Sequence, residues 1–414
     1  MTLQLPNEDD WAKACASDGE FRLAARHWNG GVRLQIGDES IAIKAVDGVI
    51  SAGSTAQGML DFKGSETVWQ KLLAPVPPRF HNEVTAALSA NVGIERSGDR
   101  LDHAQYYAAA MRAIELIRPA NDVPVTIDES TSDQFDAPVG RYVHIELAGH
   151  DYRIYYEQAG TGIPLLLQHT AGCHGSQWRH LFEDSELTDH FCLIAYDLPF
   201  HGKSLPPTSR EWWSETYDLD GEFLRAVPVQ LARALELEHP VFMGCSVGGL
   251  LALDLAYRHA DLFRAVIALE GSLNIEGNRD GIKEFYHPQV SSDYKARMME
   301  GLTAPTSPKA YVKETSFVYS SGWPPAFLGD LYYYIDEFDL REVAHEINTN
   351  EVGVHILSGE YDYSGTSELG KDASEAIAGS TWTEMLGVGH FPMSENPQAF
   401  LRYLKPILRD IRAN

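Results

Sequence analysis

The sequence predicts an α/β protein: a doubly wound, mostly parallel sheet with a helical cap, preceded by a smaller α+β domain. Three observations carry this. Short apolar runs at 164–169, 191–197, 241–243, 262–271 and 352–359 have the unbroken character of strands buried on both faces, and helical patterns alternate with them. One run, Val241 to Met243, leads through Gly244, Ser246 and Gly248 directly into a helical pattern from Leu250, a sharp strand-to-helix turn that exposes one serine. Finally, 414 residues exceed one ordinary domain, and the acidic, proline-bearing stretch from Ala120 to Pro138 is placed to divide the chain. The expected units are residues 1–120, a linker at 121–138 and a second domain at 139–414.

Hydrophobic residues make up 44% of the chain, enough for full cores in both units. A formal net charge of -26 argues against nucleic acid and anionic membrane as partners and against long-range steering of a negatively charged substrate, and is read as dispersed surface acid. Cys15, Cys173, Cys192 and Cys245 are scattered without C-x-x-C spacing, so neither a zinc site nor a disulfide framework is expected, and Cys245 reads as packing. The N-terminus has no basic region or apolar run, and no stretch approaches a membrane span; a cytoplasmic protein is the expectation. No phosphate loop, metal-ligand cluster or dinucleotide fingerprint appears, so no cofactor is expected.

In the first unit, Asn7, Asp9 and Asp10 open a short helix through Ala14. Alternation then predicts strands at 21–28, 32–36, 40–46 and 58–62, the first two joined by a hairpin at Asn29-Gly30-Gly31. Helices follow from Ser65 and over 104–117, giving an antiparallel α+β unit. This order, a meander ending in the segment LDFKGSETVWQKLL, resembles the sterol-carrier-protein-2-like fold. The resemblance implies a tunnel for an apolar ligand beneath the sheet; the alternative is a docking or dimerisation unit, which leaves a homodimer open.

The second unit opens with strands at 142–147 and 152–158. The run at 164–169 delivers the loop Thr170 to Trp178, the run at 191–197 is followed by LPFHGKS, and a helix over 227–237 leads to the Ser246 strand. The rhythm stops between about 272 and 350, where Phe285, Tyr286, His287, Tyr319, Trp323 and Tyr332 to Tyr334 fall. So long a segment inside a compact domain predicts a helical cap, with some of these aromatics lining a pocket. A strand at 352–359 then presents Asp362, a strand at 380–386 precedes His390, and a last helix runs over 397–409.

GCSVGG at 244–249, DLPFHGKS at 197–204, the loop with His169, Gly172, Gly175, Ser176 and Trp178, and the Asp362 and His390 loops together resemble the α/β-hydrolase-fold enzymes, over residues 140–414. The resemblance implies a serine nucleophile at Ser246, an acid at Asp362 and a base at His390, in the chain order of that fold. Glu270, at the end of the strand after the nucleophile helix, is the rival acid. The Val247 amide, at a helix N-terminus, is one oxyanion donor; the second is Ala171 or Thr170, with Ala171 chosen. His169, Trp178, His287 and Trp323 are the candidate substrate contacts, with loop orientation the alternative role for His169 and the role expected of His201. The implied activity is hydrolysis of a small apolar or aromatic ester, lactone or thioester through an acyl-enzyme. Alternatives are hydrolysis of a carbon–carbon bond beside a ketone, or an apolar-ligand carrier with a vestigial hydrolase half.

Overall fold

The computed structural model describes residues 5–55, 57–121, 123–125 and 136–413; most of the expected linker lies outside them. Helix Glu8–Ser17 starts where Asn7 accepts a hydrogen bond from the Asp10 amide, and it buries Trp11, Ala12 and Cys15. The next segment corrects the expectation of a strand at 21–28. It is helix Gly19–Ala24, capped by Asp18, which accepts from the Phe21 amide at 2.7 Å. Phe21, Ala25 and Trp28 are the buried positions, a spacing of four and three that marks a helical face, and Leu23 between them is 65% exposed.

Five strands follow: β1 (Gly30–Ile36), β2 (Glu39–Val46), β3 (Val49–Ala52), β4 (Met59–Gly64) and β5 (Ile94–Ser97), in the order β3-β2-β1-β4-β5. Gly30 and Gly31 do not form a turn. They lie inside β1, where a Cβ on Gly30 would meet the Gly58 carbonyl oxygen at 2.1 Å. The tight turn is at Gly37-Asp38, with Ile36 opposite Glu39 and Gly37 at φ 59°. β1 and β4 pair parallel, so the sheet is mixed rather than antiparallel. Helices Glu66–Leu72, Val84–Ser89 and Arg100–Glu115 complete the unit. The interior that the sterol-carrier resemblance would leave to a ligand is filled by Trp11, Phe21, Trp28, Phe62, Trp69 and Tyr107.

The second sheet contains β6 (Val139–Leu147), β7 (His150–Ala159), β8 (Ile163–Gln168), β9 (Phe191–Tyr196), β10 (Val241–Cys245), β11 (Ala265–Leu269), β12 (Gly353–Gly359) and β13 (Thr381–Met385). Its order is β13-β12-β11-β10-β8-β9-β7-β6, with β8 to β13 mutually parallel and the β6–β7 hairpin antiparallel at one edge. The apolar runs are unbroken because each strand feeds two cores. Leu166 and Phe242 face the layer that holds helices Gly221–Ala234 and Val247–Arg258. Leu165, Leu167, Val241 and Met243 face the layer closed by Phe400, Leu404 and Leu408 of helix Pro397–Ala413. The fold is therefore a doubly wound α/β sheet.

Between β11 and β12 the chain forms helices Arg279–Ile282, Asp293–Glu300, Lys309–Ser320 and Pro324–Tyr332, the last running into a π turn at Tyr333–Glu337. This insertion is also where the N-terminal unit docks. Arg297 reaches Glu83 at 3.0 Å and also bonds Glu115, and Asn82 donates to the Gly301 carbonyl at 2.8 Å. Among the described residues no helix is long and apolar enough to cross a membrane.

Candidate active site

In an open parallel sheet, side chains converge beyond the C-terminal ends of the strands, near the point where strand order reverses. Ser246 follows β10 there, with φ 59° and ψ -115°. A serine holds this unfavourable conformation only if its surroundings enforce it. The enforcement is local. A Cβ on Gly244 would meet the Gly248 backbone at 2.4 Å, and one on Gly248 would meet the Gln168 side chain at 2.7 Å, so only glycine fits on either side of the bend. Ser246 thus stands at the N-terminus of helix Val247–Arg258, on a cavity of about 250 Å3.

His390, in the loop after β13, lines the same cavity, and its Nδ1 lies 2.6 Å from Oδ2 of Asp362, in the loop after β12. Asp362 also accepts from the amide and hydroxyl of Ser364, both at 2.8 Å. Burial by itself would raise the Asp362 carboxyl; the neighbouring His390 and the Ser364 donors outweigh it and hold the group below its ordinary range. Glu270, the rival acid, does not contact His390. Both its oxygens accept from the Gly359 amide, at 3.0 and 2.9 Å, and it abuts Asp362. Burial and the Asp362 charge raise it well above the usual carboxylate range.

The Thr170 amide is already committed to Gln177 at 3.0 Å and the Gly172 amide to Asp330 at 2.7 Å, while Ala171 between them lines the cavity. Of the two amides expected at this corner, that of Thr170 is therefore taken. At the other side the hydroxyl of Tyr334 lies 2.8 Å from Ser246 Oγ. Tyr334 comes from the π turn of the insertion, a hydrogen-bonding irregularity often found at functional sites. Nothing in the run Tyr332 to Tyr334 singles it out from its neighbours.

Asp330 and Glu395 are two further residues that the sequence does not reveal. Buried Asp330 accepts from the Gly172 amide, His201 Nε2 at 2.9 Å and the Tyr217 hydroxyl at 2.9 Å, tying the insertion to the loop after β8. Glu395 accepts from the amides of Gly389, Phe391 and Ala304 and from Ser307, bracing the His390 loop against the insertion. His201 therefore orients a loop, as expected of it.

The four expected substrate contacts lie elsewhere. His169 is fully buried, accepts from the Leu198 amide at Nε2 and faces the Thr170 carbonyl with Nδ1, so both ring nitrogens are consumed by backbone. Trp178 is fully buried in the core against helix Pro397–Ala413. Trp323 stacks on Phe200 at 5.8 Å, beside Trp212 and Tyr217. Half-buried His287 accepts from the Gln289 amide in an otherwise exposed loop. The cavity is instead walled by Phe285, Met298, Leu302, Phe327, Leu331 and Ile335, all from the insertion. Cys245 points its thiol to the His390 carbonyl, and burial pushes that thiol well above its usual range.

The fold and this arrangement define an α/β hydrolase. The profile of the alpha/beta hydrolase family matches residues 165–403, and the chain belongs to that family. Among relatives, it is 25% identical over 272 residues to a pimeloyl-[acyl-carrier protein] methyl ester esterase of Vibrio vulnificus, covering 61% of this chain and 96% of the relative. Among solved structures, a thermophilic esterase from Thermogutta terrifontis superposes with a TM-score of 0.58 at 20% identity, over 66% of this chain and 99% of the other. The enol-lactonase from Burkholderia xenovorans LB400 gives 0.50 at 22% identity, over 64% and 99%. These structures share the fold. The family match begins at residue 165 and carries nothing about the N-terminal sheet.

Proposed function

We propose that this protein is a serine hydrolase that opens an apolar or aromatic ester, lactone or thioester through an acyl-enzyme on Ser246. The observation that carries this reading is the 2.6 Å bond between Asp362 and His390 on the cavity onto which the strained Ser246 opens. In this reading, His390 takes the Ser246 proton as Oγ attacks the carbonyl carbon. Asp362 holds the imidazole in the tautomer that can accept that proton and offsets the positive charge that forms. The Val247 and Ala171 amides receive the oxyanion. His390 then protonates the leaving oxygen or sulfur, and water, deprotonated by His390, releases the acid and restores the serine. The apolar cavity walls favour an apolar acyl or alcohol part, and the named relatives act on a methyl ester or an enol lactone.

The test is incubation with p-nitrophenyl esters of graded acyl length and, separately, with a fluorophosphonate. Turnover with a burst of p-nitrophenol, and one phosphonyl group on the peptide that carries Ser246, are the expected results. Turnover of diketones with no ester cleaved would replace this reading by carbon–carbon hydrolysis.

Tyr334 adds a second prediction. Its hydroxyl is bonded to Ser246 Oγ at 2.8 Å, so a bound substrate must displace it from the nucleophile. A neutral hydrogen bond is worth about 1 kcal/mol net, so Tyr334→Phe should lower KM about five-fold. Saturation kinetics on one ester check this; a lowered kcat instead would make Tyr334 a donor to the transition state.

A further inference from the structure

The N-terminal unit and the insertion enclose a second cavity, a cleft of about 470 Å3. One wall comes from Leu88 and Ser89 at the end of helix Val84–Ser89 and from Arg96 on β5; Ile282, Phe285 and Met298 form the other. These last three side chains also wall the Ser246 cavity, so a single layer of side chains separates the two spaces. Met298, unbranched and able to repack, touches both cores.

The partition is positioned from the N-terminal side. Arg100 donates to the Asp280 carbonyl at 3.0 Å and to Glu284 at 2.7 Å, and Gln105 donates to the Gln289 carbonyl at 3.0 Å. Tyr107 meets Tyr294 edge-on, Tyr294 stacks on Phe285, and Phe285 meets Phe327 of the Ser246 cavity. The charge is positioned as well. Arg100 is neutralised by Glu284, whereas exposed Arg96 has no carboxylate partner among the described residues and stands at the rim of a protein whose net charge is -26. At about 250 Å3, the Ser246 cavity alone falls below the roughly 300–1,000 Å3 usual for small-molecule sites.

We infer that the cleft is a second substrate subsite: an ester whose carbonyl lies at Ser246 passes Phe285 and Met298 with an extended apolar chain and presents an anionic end to Arg96. This rests on the serine-hydrolase reading. It also assigns work to the N-terminal unit, which would bind the far end of the substrate.

Three probes separate the two ideas. p-Nitrophenyl acetate fits the Ser246 cavity alone, while mono-p-nitrophenyl suberate and 8-acetoxyoctanoate carry a carboxylate at the end of a long acyl or alkoxy chain. Ser89→Trp fills the cleft and Arg96→Glu reverses its charge, both at exposed positions. Each should leave kcat/KM for the acetate within about two-fold, as exposed substitutions do. Each should lower it about ten-fold or more, through KM, for one of the carboxylate-tipped esters, a loss of about 1.4 kcal/mol. Equal losses on the acetate, or no loss on either long ester, overturn the subsite and leave the hydrolase reading standing. A wild-type protein that cleaves none of the three overturns the hydrolase reading and the subsite with it.

Discussion

Replacing Ser246 by alanine is expected to lower kcat for p-nitrophenyl esters by about 10⁶-fold, and adding His390→Ala to that variant to lower it no further. The non-additivity is the informative part. In the acyl-enzyme reading Ser246 Oγ attacks only as His390 accepts its proton, so once either is absent the other contributes nothing to that step. Asp362→Asn is expected to cost about 10⁴-fold, because the amide would hold the imidazole in the wrong tautomer while leaving the geometry in place. Single-turnover and steady-state rates on one ester check the series. Additive losses in the double variant would mean that Ser246 and His390 act in separate steps, and the acyl-enzyme reading would fall.

Arg297→Met is expected to destabilise the folded protein by about 3–5 kcal/mol, lowering Tm by roughly 5 °C. Arg297 is 6% exposed and Glu83 8%; their bond spans the contact between the N-terminal unit and the insertion, with Glu115 and Glu300 close by. Removing the guanidinium strands the buried Glu83 carboxylate without a counter-charge, whereas Glu115 and Glu300 keep Arg112 and Lys313, and the Met side chain replaces most of the lost volume. The pH dependence follows from the sign of the Glu83 shift. Burial already raises the Glu83 carboxyl above its ordinary value, outweighing the pull of Arg297, and loss of Arg297 raises it further. A carboxyl raised in the folded state costs stability as pH rises through its unfolded value and regains it below. The variant's deficit should therefore be largest at neutral pH and shrink towards pH 4, as thermal melts across that range would show. A deficit that is constant with pH would mean that lost packing, not stranded charge, is the cause.

The parallel strands, the turn at Ser246 and the loops of Asp362 and His390 were legible because each depends on residues adjacent in the chain. An unbroken apolar run needs two covered faces, and a serine in that backbone conformation needs glycines at both flanks. The helix at Gly19–Ala24 was misread because FRLAARHW also alternates; the cap at Asp18 and the burial of Phe21, Ala25 and Trp28 settle it as helix. The glycines at 30 and 31 looked like a turn, but it is the close approach of Gly58 that requires Gly30.

By itself, then, the sequence determined the sheet class, the order of its strands along the chain, and the placement of Ser246, Asp362 and His390 in the loops beyond them. Those features follow from local backbone sterics, side-chain period and residue chemistry. Only the tertiary structure decided what surrounds them. Tyr334 meets Ser246 across 88 positions, Asp330 reaches Gly172 across 158, and Arg297 reaches Glu83 across 214. It also withdrew His169, Trp178, His287 and Trp323 from the cavity and put Phe285 and Met298 there. The insertion and the N-terminal unit fold back over the sheet edge, and which of their faces meets it depends on packing among distant segments, which no local pattern encodes.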